Sequence, residues 1–141
     1  MVFSQDLTFG QSFEHEFLKH IEYDTFIISE GKFKEYDLKI CKDANTTYYE
    51  IKADRIAYMT KNIAIEYKCS GISSGIRTTT SDFYGYFLVE PSNKYSLYII
   101  PTSKIKEYIQ AKQYKRKCKG GDNGKSCMYL FDLVVFNSFK K

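Results

Sequence analysis

The stretch from Lys34 to Arg55, KEYDLKICKDANTTYYEIKADR, holds the residues whose types and spacing best suit chemistry. It reads as two strands and a short loop, with Tyr36, Leu38 and Ile40 alternating against Asp37 and Lys39. If Lys42 to Asn45 form the loop, Cys41 pairs with Thr46, and the antiparallel register then sets Asp37 opposite Glu50. Opposed side chains have Cβ atoms only about 5 Å apart, so two carboxylates there repel until a cation joins them. Period two puts Lys52 on the Glu50 side and turns Ile51 away. Asp37, Glu50 and the Ile51 carbonyl form a hard oxygen set suited to Mg²⁺ or Mn²⁺. Such an ion lowers the pKa of a water and stabilises charge on a phosphate. Lys52 would orient that water or offset the developing negative charge.

Other elements must hold this hairpin in place. A first helix is predicted from about Phe9 to Glu22, with Thr8 and Gln11 resembling a capping box and Phe13, Phe17 and Ile21 at helical spacing. A short strand follows at Tyr23 to Ser29, then strands at Phe33 to Cys41, Thr46 to Ala53 and Asn62 to Cys69. A Gly/Ser loop, Ser70 to Gly75, leads to a predicted helix from about Thr79 to Leu88. Tyr95 to Ile100 reads as a strand stopped by Pro101, and a third helix is capped by Thr102 or Ser103 with Ile105, Tyr108 and Ile109 facing inward. Ser126 to Phe136 reads as a late strand or hairpin. The expected class is α/β (α+β), one mixed β-sheet flanked by helices.

The 141 residues suffice for one domain, 1–141, and show no repeats, linkers or biased tracts. A net charge of +4 is compatible with a polyanionic partner. Neither a signal-peptide pattern nor a membrane-spanning apolar run is visible, which points to the cytoplasm, or a host cytoplasm for a viral gene, with no membrane partner. Cys41, Cys69, Cys118 and Cys127 form no CxxC pair and have no neighbouring histidine, against a zinc site.

The spacing of Asp37 and Glu50-Ile51-Lys52, inside this element order, resembles the signature of the PD-(D/E)XK nuclease superfamily. That resemblance implies a restriction-endonuclease-like core of order αβββαβ over about residues 9–100, with a helix and strand extension at 101–141. It implies metal ligation by Asp37 and Glu50 and a catalytic role for Lys52. Holliday-junction resolvases and other small members carry an acid after a glycine on the first helix, and Gly10 with Glu14 looks like that pair. The stretch NIAIEYKCSGISSGIRTTTSDFY further resembles small phage and viral nuclease-like proteins, which makes Glu66 an auxiliary acid and places Thr78 to Asp82 beside the site. The family's Pro before the Asp is Tyr36 here. Many small members are homodimers, so a homodimer is also implied.

The expected function is a Mg²⁺- or Mn²⁺-dependent phosphodiesterase, an endonuclease in preference to an exonuclease, on DNA in preference to RNA. Small size leaves little surface for base reading, which favours structure-selective or weakly specific cutting. Arg77, Thr79 and the basic run Lys112, Lys115, Arg116, Lys117 and Lys119, expected in a loop, could contact phosphates, although a solvated loop explains the run equally. A rival catalytic pair is Glu66 with Lys68, using Asp54 upstream. Two other readings stand beside the nuclease. One is a catalytically silent nucleic-acid-binding protein of the same fold, the other an interaction module whose acidic hairpin is a salt-bridged face.

Overall fold

The computed structural model describes residues 12–30, 35–121 and 124–141. Thr8, Phe9, Gly10, Gln11, Phe33 and Lys34 lie outside the described residues, and with them the first helix's predicted cap and glycine. Helix α1 covers 12–17 and runs into a 3₁₀ turn, Leu18–His20. Among the described residues nine strands follow: β1 Thr25–Ile28, β2 Leu38–Lys42, β3 Asn45–Asp54, β4 Asn62–Cys69, β5 Ile72–Ser73, β6 Phe83–Val89, β7 Tyr95–Pro101, β8 Arg116–Gly120 and β9 Ser126–Asp132. Helix α2 spans Ile56–Thr60 and α3 spans Thr102–Gln110.

The expectation of an α+β chain with a mixed sheet and helices holds. There are, however, two sheets. The mixed sheet has the order β1-β2-β3-β6-β7, and a second, antiparallel sheet has the order β5-β4-β9-β8. The strand Asn62–Cys69 lies in the second sheet and not beside the hairpin. β1, β2 and β3 form an antiparallel run, and β6 then pairs parallel to β3. The intervening crossover carries α2, β4, β5 and a 3₁₀ turn, Gly75–Arg77.

The predicted helix Thr79 to Leu88 is instead strand β6. Its sequence, FYGYFLV, is apolar throughout because β6 lies between β3 and β7 with both faces covered. Phe87 and Val89 enter the cluster made with Phe13, Phe17, Leu38 and Ile51. Tyr84, Tyr86 and Leu88 face a second cluster with Ile63, Ile65, Phe131, Ile105 and Phe136. A strand buried on both faces shows no alternation, so periodicity could not tell it from a helix. Gly85 lets α1 approach, since a Cβ there would lie 2.6 Å from the Phe17 ring.

Two further expectations are corrected. The basic run was expected in a loop, but Arg116–Gly120 is the edge strand β8, whose lysines and arginine keep it hydrophilic on both faces as exposed edges require. The late strand ends at Asp132 rather than Phe136, because the Asp132 carboxylate accepts the Val134 N–H at 3.1 Å and starts a 3₁₀ segment, Leu133–Phe139. Helix α3 begins at Thr102 with Pro101 as its cap residue and no side-chain cap bond, and Ile105 is fully buried. Among the described residues, no helix is long and apolar enough to cross a membrane.

Candidate functional site

The β2–β3 hairpin has the expected register through a tighter turn. Cys41 pairs with Thr46 as predicted, and Lys42 with Asn45 as well, leaving only Asp43 and Ala44 in the turn at φ 51° and 66°. The ladder ends where Leu38 faces Tyr49, one residue short of the expected Asp37–Glu50 pair. The Asp37 backbone is pinned on both sides. Its N–H donates to the Tyr49 carbonyl at 3.0 Å, and its carbonyl accepts from Ser29 at 2.9 Å. The Asp37 side chain is buried, and its Oδ2 accepts the Ile51 N–H at 2.7 Å. In a strand, a residue's N–H and C=O point to the same edge. The Ile51 carbonyl is therefore turned toward the end of β2 where Asp37 stands.

Glu50 is half-buried and is the cross-strand partner of Tyr84 in the parallel β3–β6 pair. Burial pushes the Tyr84 phenol well above its ordinary range, and the charges of Glu50, Asp37 and Glu66 push it the same way. The buried hydroxyl therefore stays a neutral donor. Glu66 belongs to β4 of the second sheet.

Glu66 is held by two hydroxyls. Ser74 Oγ donates to its Oε2 at 2.9 Å and Ser126 Oγ to its Oε1 at 2.7 Å. It sits where the β4–β9 ladder shifts register between Glu66 and Lys68. Gly75 packs against the same residue. Its φ is +54°, and a Cβ would collide with the Glu66 carbonyl.

A cleft of about 620 Å³ opens here, lined by Glu50 and Lys52 from β3, Glu66 from β4, Ile72 and Ser73 from β5, and Thr79 beyond the 3₁₀ turn. Lys52 is exposed and forms no ion pair with any described residue. Glu35 also lines the cleft, and its carbonyl accepts from Thr80. Sequence reasoning missed Glu35, although its two-residue spacing from Asp37 was a usable signal. Among the described residues, no group of three or more His, Cys, Asp or Glu side chains is gathered as a metal site. Of the expected donors, Glu50 lines the cleft, whereas Asp37 and Ile51 do not; two carboxylates and a backbone carbonyl would fit an ion that keeps several of its waters, as Mg²⁺ does.

Other sequence candidates go elsewhere. Glu14 is buried on α1 between Phe13 and Phe17 and does not line the cleft. Arg77 lies over the Tyr67 ring, 4.6 Å from its centroid, and not in the cleft. Lys115 donates to Asn62 at 2.7 Å and pairs with Asp132 at 3.4 Å, while Arg116 and Lys117 lie on β8, across β4 and β9 from β5. Asp54 caps α2 through the Ile56 and Ala57 N–H groups and accepts from Tyr86 at 2.7 Å, so it does not serve the rival Glu66–Lys68 pair. Asp82 ties the segment after Thr79 to β3, accepting the Tyr48 N–H at 2.9 Å.

Comparison of the chain with protein-family models, with curated proteins and with solved structures finds no match.

Proposed function

We propose that this chain is a divalent-metal-dependent nuclease of PD-(D/E)XK type, acting on DNA in preference to RNA. The observation that carries the reading is the Asp37 carboxylate bonded to the Ile51 N–H, which holds one acid against the strand that brings Glu50 and Lys52 to the cleft. The antiparallel run β1–β2–β3 after α1, and the crossover to a parallel β6, support the αβββαβ order with an enlarged crossover. On this reading Asp37, Glu50 and the Ile51 carbonyl hold Mg²⁺ or Mn²⁺. The ion, when bound, lowers the pKa of a water and polarises the phosphate.

The chain's own groups do the rest. Lys52, with no competing ion pair, donates to a non-bridging phosphate oxygen and offsets its charge. Glu66, fixed by Ser74 and Ser126, orients water at the cleft wall. Tyr84, the cross-strand partner of Glu50, supplies a neutral hydroxyl. The test is a panel of linear, nicked, branched and single-stranded DNA incubated with Mn²⁺. Cleavage that Lys52→Ala abolishes is expected. No cleavage of any substrate by wild type overturns the enzymatic reading in favour of a silent nucleic-acid binder.

A further inference from the structure

The 3₁₀ turn Gly75–Arg77 is a shared wall. Gly75 lines the cleft on one side, while Ile76 and Arg77 line a separate groove of about 270 Å³ on the other. The groove is completed by Lys106 and Ile109 of α3 and Tyr129 of β9. Ile76 and Tyr129 are buried and Ile109 half-buried, so the floor is apolar and aromatic. The two charged residues lining it are both cations, and both are exposed. Arg77 lies over the Tyr67 ring, a contact that does not use its N–H donors. Neither Arg77 nor Lys106 forms an ion pair with a described residue.

An apolar floor beneath two cations that form no ion pair among the described residues matches one nucleotide unit, a base against Ile109 and the edge of Tyr129, whose ring packs on Tyr67 and Tyr114, and its phosphate between Arg77 and Lys106. Such contact is indifferent to sequence because every base has an apolar π-face. A duplex keeps its bases paired and cannot offer one to a recess. We infer that this groove is a subsite for an unpaired nucleotide next to the scissile phosphate, so that the preferred substrate has a single-stranded segment at the cut. The inference rests on the nuclease reading for its substrate class, but its test needs no catalysis.

The test is fluorescence anisotropy in EDTA with a labelled oligothymidylate, an abasic oligonucleotide of the same length, and a blunt duplex. Wild type binds the oligothymidylate more tightly than either other probe. The double variant Arg77→Ala, Lys106→Ala loses about tenfold in affinity for it, and its salt slope flattens by about 0.7 per lost phosphate contact. Lys94→Ala, a surface change in the β6–β7 turn, does not alter binding. A second variant, Ile109→Glu, keeps both cations and should weaken the oligothymidylate more than the abasic probe. Melting temperatures check that each variant folds. Unchanged binding by the folded double variant, or equal wild-type affinity for the thymidylate and abasic probes, overturns the subsite and leaves the cleavage panel standing. A loss confined to the variants, in a protein that cuts nothing, supports the subsite and sinks the nuclease.

Discussion

The carboxylate of Asp37 accepts the backbone N–H of Ile51 at 2.7 Å, joining the residue before β2 to the middle of β3. Both residues are buried, so removing the acceptor leaves an N–H without a partner. Asp37→Ala should therefore cost about 1–3 kcal/mol of stability. Asp37→Asn keeps an acceptor oxygen and should cost clearly less, while losing metal binding. Urea unfolding of the two variants measures the difference, and equal losses would contradict this role for the carboxylate.

Metal binding and catalysis should separate between Glu50 and Lys52. Anything that binds the folded state alone raises its melting temperature. Mn²⁺ should therefore stabilise wild type and Lys52→Ala alike, and Glu50→Ala not at all. Lys52→Ala should cut about 10²–10³-fold more slowly, the loss typical for removing one donor to developing charge. A melting shift that survives Glu50→Ala would show that the ion binds elsewhere.

The hairpin was legible because antiparallel pairing is arithmetic. Once Cys41 faces Thr46, every pair out to Leu38 with Tyr49 follows, whichever turn closes the loop. Strand β6 was not legible, because Tyr84, Tyr86 and Leu88 cover one sheet face and Phe87 and Val89 the other. The Arg77 position was hidden for a different reason. It stands two residues before Thr79 in the chain, but it ends the 3₁₀ turn, and the two residues line different depressions. Pairing of β4 with β9 joins residues 57 to 70 positions apart, which no local pattern encodes.

Three glycines should rank by what surrounds them. Gly71 has φ +80° and nothing within 4 Å of a Cβ, so Gly71→Ala should cost about 1 kcal/mol of backbone strain alone. Gly85 lacks that strain, but a methyl would press on Phe17 and Ile51 side chains, costing about 1–3 kcal/mol. Gly75 combines φ +54° with a collision against Glu66 backbone, which cannot rotate away. Gly75→Ala should be the worst of the three and should also widen or close the cleft. Denaturant midpoints give the ranking, and a mild Gly75→Ala would refute it.

Alkaline stability should report Tyr86. Burial raises its phenol well above the ordinary value, followed by the charge of Asp54 and the 2.7 Å hydrogen bond to it. The unfolded chain releases this proton near pH 10, whereas the folded chain holds it. Between those two values the native state binds more protons, so stability falls as pH rises, and it is fully present below the lower one. Tyr86→Phe removes that slope. It should also cost about 1 kcal/mol near neutrality, because Asp54 loses a partner while still capping α2. Melting curves of both proteins from pH 8 to 11 would converge as the pH rises. Parallel curves would mean that the folded state gives up the Tyr86 proton as readily as the unfolded one.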